Sequence, residues 1–120
     1  MQYILLIYMD DKRWAEIPVD ERNRIHEACG AWHEDLVKLG KSTGAMGLQP
    51  VSTATTLRHH DGKAIITDGP FAETKEVLGG FEVLECENLD EALSIAKRFP
   101  DYPGLALELR PLVPGGQCKD

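Results

Sequence analysis

Residues 3–8 read Tyr-Ile-Leu-Leu-Ile-Tyr, six apolar positions without a break. The run is rich in β-formers and too short for a helix of ordinary length, so it reads as a strand. Successive side chains of a strand point to opposite faces. A strand apolar at every position therefore needs cover on both sides, which places it in the middle of a sheet. That requirement constrains everything downstream.

The next elements follow from periodicity. Residues 10–19 read as a polar connection containing Trp14. Pro18 and Asp20 announce a helix. Along it Ile25, Ala28, Cys29, Trp32, Leu36 and Leu39 recur at the spacing of one buried stripe, and Gly40 is a natural stop. Residues 41–50, with Gly44 and Gly47, read as a loop, and residues 51–59 alternate as a strand. Asp61-Gly62 is a hairpin turn signal, and residues 63–67 return as the second strand. Residues 81–86 give a further strand. Asn88 and Glu91 then have the form of a capping box. The second helix carries Leu89, Ala92, Leu93, Ala96 and Phe99 and ends before Pro100. Residues 105–110 form the last strand, with Leu105, Leu107 and Leu109 on one face and Ala106, Glu108 and Arg110 on the other.

Strand, helix, strand, strand, helix, strand, with room for an extra strand within the loop regions, is the split βαβ, ferredoxin-like α+β pattern. Right-handed crossovers put both helices on one face of the sheet. Nothing else in the chain covers the opposite face, so a second copy packed sheet against sheet is the expected partner. The second faces of the other strands carry Ser52, Thr56, Arg58, Glu108 and Arg110, so the homodimer should enclose a partly polar cleft. The domain is expected to span residues 1–113, with residues 114–120, rich in proline and glycine, as a flexible tail.

Composition excludes several classes of function. Thirteen basic against twenty acidic residues give a net charge of −7, which disfavours nucleic acid. No apolar run approaches the length of a membrane span, and no secretory leader is legible, so the expected compartment is the cytoplasm. Cys29, Cys86 and Cys118 form no CxxC pair and read as reduced thiols, the first two in the core and the third exposed in the tail.

The chemistry concentrates in residues 68–81, Asp-Gly-Pro-Phe-Ala-Glu-Thr-Lys-Glu-Val-Leu-Gly-Gly-Phe, between two apolar runs. Asp68 is either a turn residue accepting backbone N–H groups or a general base in a cleft. Glu73, Thr74 and Lys75 are either a solvated face or a site in which Glu73 handles a proton while Thr74 and Lys75 hold an anionic group. Gly79-Gly80 matches no phosphate-loop spacing. Arg58 and Arg110 either pair with carboxylates such as Glu82 or Glu108 or line an anion-binding cleft. His26 and His33 flank the helical stripe about 10 Å apart, too far for one metal ion. His33, beside Trp32, is the better candidate for a cleft role. The residues call for no metal and no cofactor.

The segments Gln49-Pro50-Val51-Ser52-Thr53-Ala54-Thr55-Thr56, Asp61-Gly62-Lys63, residues 67–81 and Glu108-Leu109-Arg110-Pro111 together resemble the YCII-related family, in its branch named for the Asp-Gly-Pro-Phe motif. The resemblance spans about Tyr3 to Val113. It implies a dimeric α+β barrel, ferredoxin-like in each subunit. It also implies an Asp and a His in the cleft as an acid–base pair. Asp68 matches the Asp, and the His lies on the first helix, where this chain has His26 and His33. Genes of this branch often lie beside those of extracytoplasmic-function sigma factors. The expected function is binding of a small, anionic organic molecule at the Asp-Gly-Pro-Phe loop with acid–base catalysis. Asp68 would act as base, His33 or Glu73 as its partner, and Lys75 or Arg58 as anchor. The alternative is a non-enzymatic interaction module linked to a sigma factor.

Overall fold

In the computed structural model, which describes residues 1–116, the N-terminal apolar run forms strand β1 (Gln2–Met9), interior to a four-stranded sheet. Helices α1 (Asp11–Glu16) and α2 (Val19–Lys38) follow, then β2 (Ser42–Gly47), β3 (Thr55–His60), β4 (Lys63–Asp68), β5 (Val77–Glu85), α3 (Leu89–Lys97) and β6 (Ala106–Pro111). The sheet order is β2-β5-β1-β6, antiparallel throughout. β3 and β4 form a separate two-stranded sheet. With that hairpin set aside, the chain is the expected ferredoxin-like α+β fold.

Four local expectations change. Residues 41–50 hold strand β2 rather than only a loop. Its sequence, Ser-Thr-Gly-Ala-Met-Gly, has no alternating apolar signal because it is a largely exposed edge strand. The strand expected from residue 51 starts at Thr55. Val51–Thr53 form a 3-10 turn, with the Thr53 hydroxyl donating to the Pro50 carbonyl at 2.7 Å. The strand expected from residue 81 starts at Val77, so Gly79 and Gly80 lie within β5. The polar connection before α2 contains α1, capped by buried Asp10, whose Oδ1 accepts the N–H groups of Lys12 (3.0 Å) and Arg13 (3.3 Å).

The remaining caps follow the sequence closely. Gly40 takes φ 70°, Lys41 N–H donates to the Leu36 carbonyl at 2.8 Å, and Gly40 N–H to Val37 at 3.1 Å. This is a Schellman motif, and glycine relieves the left-handed position it requires. Asn88 Oδ1 accepts Glu91 N–H at 2.9 Å, while the Glu91 carboxylate reaches back to Glu87 N–H at 2.9 Å. Asp61 and Gly62, both with positive φ, close the β3–β4 hairpin as the sequence signals.

The core lies between the sheet and two helices. Tyr3 and Leu5 of β1 meet Leu84 and Cys86, under Trp32 and Leu36 of α2, Ala92, Ile95 and Ala96 of α3, and Phe99 just beyond α3. Ala28, Leu39, Leu89 and Leu93, expected on the buried stripes, are exposed, and Ile95 takes an inner place on α3. Trp32 packs edge-on against Phe99 with ring centroids 5.0 Å apart, and its Nε1–H donates to the Ile95 carbonyl at 3.1 Å. Cys29 is half-buried and Cys86 buried, both as free thiols, and Cys118 lies outside the described residues.

The other face of β1 carries Ile4, Leu6 and Tyr8, all half-buried. In register beside them stand Val83 and Phe81 of β5 and Arg110 and Glu108 of β6. The hairpin extends the molecule, which measures 48 × 42 × 19 Å, and leaves Leu57, Ile65 and Ile66 exposed. The radius of gyration is 16.4 Å. A compact domain of this length would have about 14 Å. Among the described residues no helix is long and apolar enough to cross a membrane.

Candidate functional site

Glu82 is the most unusual residue in the fold. β5 alternates so that Gly80, Glu82 and Leu84 are buried, and Glu82 pairs in register with Leu5 beneath the helices. A carboxylate on that face is costly unless hydrogen-bonded. Two donors meet one of its oxygens. Ser42 Oγ, at the start of β2, donates to Glu82 Oε2 at 2.5 Å, and His33 Nδ1, on α2, lies 2.6 Å from the same atom. A carboxylate oxygen accepts both, which puts the imidazole proton on Nδ1. When the ring is neutral, Nε2 is then the acceptor nitrogen, with no protein partner among the described residues.

His33 is partly exposed, and it stands in the wall of a cavity of about 560 Å³. α2 contributes Ile25, His26, Cys29 and Trp32 on one side. Residues 46–51 and 77–82 form the other, with Trp14, Phe99 and Tyr102 completing it. The helical spacing of 25, 29 and 32 brings these residues to one side of α2. Trp14 links the ends of this wall, with its ring centroid 5.2 Å from His26 and 5.1 Å from Tyr102. Burial, with the nearby Cys29 adding to it, pushes the Tyr102 phenol up to about 12. Burial also raises the Cys29 thiol, so both groups stay protonated near neutral pH and neither supplies a nucleophile there. The histidines, Glu82 and Asp11 remain as the proton-handling groups of this cavity.

A second cleft, of about 650 Å³, adjoins the first through Asp11, Val51 and Val77, which line both. Pro70, Ala72, Glu73, Thr74 and Lys75 form its outer wall. Lys12 and Lys75 share this lining with Asp10, Asp11 and Glu73, so the cations there are offset by carboxylates.

The structure thus separates the residues singled out from sequence. Glu73, Thr74 and Lys75 come together at the second cleft; His33 belongs to the first. Asp68 ends β4, exposed, in register with Thr55, and is not among the residues lining either space. The carboxylate that His33 meets is Glu82. Arg58 does not reach Glu82; its Nη2 donates to the Phe71 carbonyl at 3.1 Å. Thr56 donates to the Gly69 carbonyl at 2.7 Å, and Gly69, at φ 99°, donates its N–H to Ala54 at 2.7 Å. These bonds tie the Asp-Gly-Pro-Phe turn to the hairpin. The Thr74 hydroxyl donates to the Glu76 carbonyl at 2.6 Å. Arg110 Nε donates to Glu108 Oε2 at 2.6 Å on the sheet face away from the helices, and that ion pair raises the guanidinium further. No three His, Cys, Asp or Glu side chains gather as a metal ion would need, among the described residues.

Comparison with known proteins bears on the whole chain. Residues 1–114 match the model of the YCII-related domain family. The chain belongs to the YCII-related family. A protein of Rhizobium meliloti (strain 1021), described as uncharacterized, is 40% identical over 97 residues, which are 81% of this chain and 78% of the relative. In this YCII-related domain, sequence reasoning missed Glu82 and Ser42 as site residues. The signal for Glu82 was present: in Phe81-Glu82-Val83-Leu84 alternation sets an acid on the same face as a buried leucine. Ser42 carried none, because β2 itself was not legible.

Proposed function

We propose that this YCII-related protein binds a small organic molecule in the cavity beside α2 and moves a proton there, with His33 as the acid–base group. The observation that carries the reading is the hydrogen-bonded set Ser42–Glu82–His33, of which Glu82 and His33 stand in the wall of an apolar cavity. Glu82 orients the imidazole and stabilises it once Nε2 has taken a proton. Aromatic walls exclude water from a ligand and strengthen that interaction. Pro70 of the Asp-Gly-Pro-Phe segment, with Glu73 and Lys75, would form the rim toward the adjoining cleft.

The functional unit in this proposal is a homodimer. Support comes from the half-buried apolar face of β1 and from the exposed Leu57, Ile65 and Ile66 of the hairpin. An isolated two-stranded hairpin is at best marginally stable in water, and a second copy would cover it.

The test is hydrogen–deuterium exchange at the acidic carbon of a bound carbon acid, followed by NMR in deuterated water. His33→Ala should keep the fold and lower the exchange rate by about 10²-fold or more. An unchanged rate would remove His33 from the chemistry.

A second reading is an interaction module with an extracytoplasmic-function sigma factor as partner. It is favoured by Phe71, which is 74% exposed in the Asp-Gly-Pro-Phe turn. Co-purification of such a factor, lost on Phe71→Ser, would support it over the catalytic reading.

A further inference from the structure

We infer that the cavity selects an uncharged aromatic molecule bearing a weakly acidic hydroxyl, a phenol or an enol on a flat ring system, and rejects carboxylates and phosphates. The inference rests on the proposed site and names what that site would take.

Charge is the first argument. Asp11 and Glu82 line the cavity, and among the described residues no lysine or arginine does. An anion entering would lose its hydration next to two carboxylates and gain no cation in return, since Lys12 and Lys75 lie in the adjoining cleft among three carboxylates. The expectation of an anionic ligand anchored by Lys75 therefore does not transfer to this cavity.

Shape and polarity are the second argument. Trp14, Trp32, Phe99 and Tyr102 bring four aromatic rings to one space, and aromatic faces pack well against a flat ring. The volume of about 560 Å³ falls within the range of small-molecule pockets. Against this apolar wall, Nε2 of a neutral His33 is an acceptor awaiting a donor, because Glu82 holds the proton on Nδ1. A ligand O–H fills that role directly. A ligand lacking the hydroxyl leaves Nε2 desolvated and unpaired, which is how a polar site discriminates between analogues.

Three probes separate the alternatives: 2-naphthol, 2-methoxynaphthalene and 2-naphthoate. Binding is measured by calorimetry, and its location by quenching of tryptophan emission. The chain has two tryptophans and both line the cavity. We expect 2-naphthol to bind and quench, with each of the other two weaker by about tenfold, the scale of one hydrogen bond. The preference for naphthol over its methyl ether should vanish in His33→Ala and in His33→Gln, which keeps an amide donor toward Glu82. Naphthoate binding as tightly as naphthol, or more so, would overturn the ligand class while leaving the cavity as a site. Equal affinity for naphthol and its ether in the wild type would also overturn the class. If none of the three quenches tryptophan emission, the cavity reading falls, and this inference with it.

Discussion

His33 Nδ1 and Glu82 Oε2 lie 2.6 Å apart across 49 residues of sequence, joining the main helix to the inner face of the sheet. The contact is partly structural, since Glu82 is buried and His33 and Ser42 are the donors it meets. Glu82→Ala is expected to destabilise the fold by about 1–3 kcal/mol, because two polar groups lose their partner. Glu82→Gln should be milder. Urea denaturation of both variants checks the order, and equal losses would point to packing alone.

Two glycines should respond in opposite directions. A Cβ on Gly80 would stand 2.9 Å from the Met46 carbonyl oxygen on the neighbouring strand, a backbone atom that can move only with β2. Gly80→Ala should therefore cost about 1–3 kcal/mol. Gly30 lies within α2 with nothing within 4 Å of the added carbon. Gly30→Ala should stabilise by about 0.5–1 kcal/mol. Thermal unfolding of the two variants checks both signs.

The N-terminus of α3 rests on Asn88, whose side chain accepts Glu91 N–H at 2.9 Å. Asn88→Ala should cost about 1 kcal/mol. Asn88→Asp should recover most of it, since the carboxylate keeps the acceptor. The chemical denaturation midpoint is the readout.

Tyr102 predicts an alkaline weakness. Its phenol is raised from an ordinary 10.0 to about 12 by burial, with Cys29 second. The folded state thus favours the protonated form. The associated stability is intact below the unfolded value and declines as pH rises toward the folded one, because the unfolded chain ionises first. Tyr102→Phe removes that loss. The melting temperature should fall less between about pH 10 and about pH 12 in the variant than in the wild type. Parallel curves would place the alkaline sensitivity elsewhere.

The hairpin tests the assembly. The protein is expected to scatter light with about twice the chain mass, as a two-fold dimer would. Ile66 is 66% exposed, and Ile66→Asp should lower the apparent mass without loss of helix content. A wild type of single-chain mass would remove the dimer.

The sequence carried the fold well where burial was periodic. Tyr3 and Leu5 alternate with Ile4 and Leu6, the stripe around Trp32 and Leu36 marks α2, and Gly40 marks its end. It failed at β2, whose small, mostly exposed residues carry no pattern, and so the β3–β4 hairpin was given a place in the main sheet. The site was half legible for the same reason. His33 stood out as a titratable group beside Trp32. Its partner depends on the register of β5 against β1, which local composition does not encode. The chemically dense turn at Asp68 stands out instead, and the bonds that tie it to β3 run from Arg58 and Thr56 to its backbone carbonyls.

The most direct test of the site is the ¹⁵N spectrum of the histidines, which reports each ring nitrogen separately. With four histidines in the chain, His33→Gln assigns the signals. In its neutral form His33 should hold its proton on Nδ1, and 2-naphthol should shift its Nε2 signal strongly. A His33 protonated on Nε2, or one left unmoved by a naphthol that quenches tryptophan emission, would contradict the account.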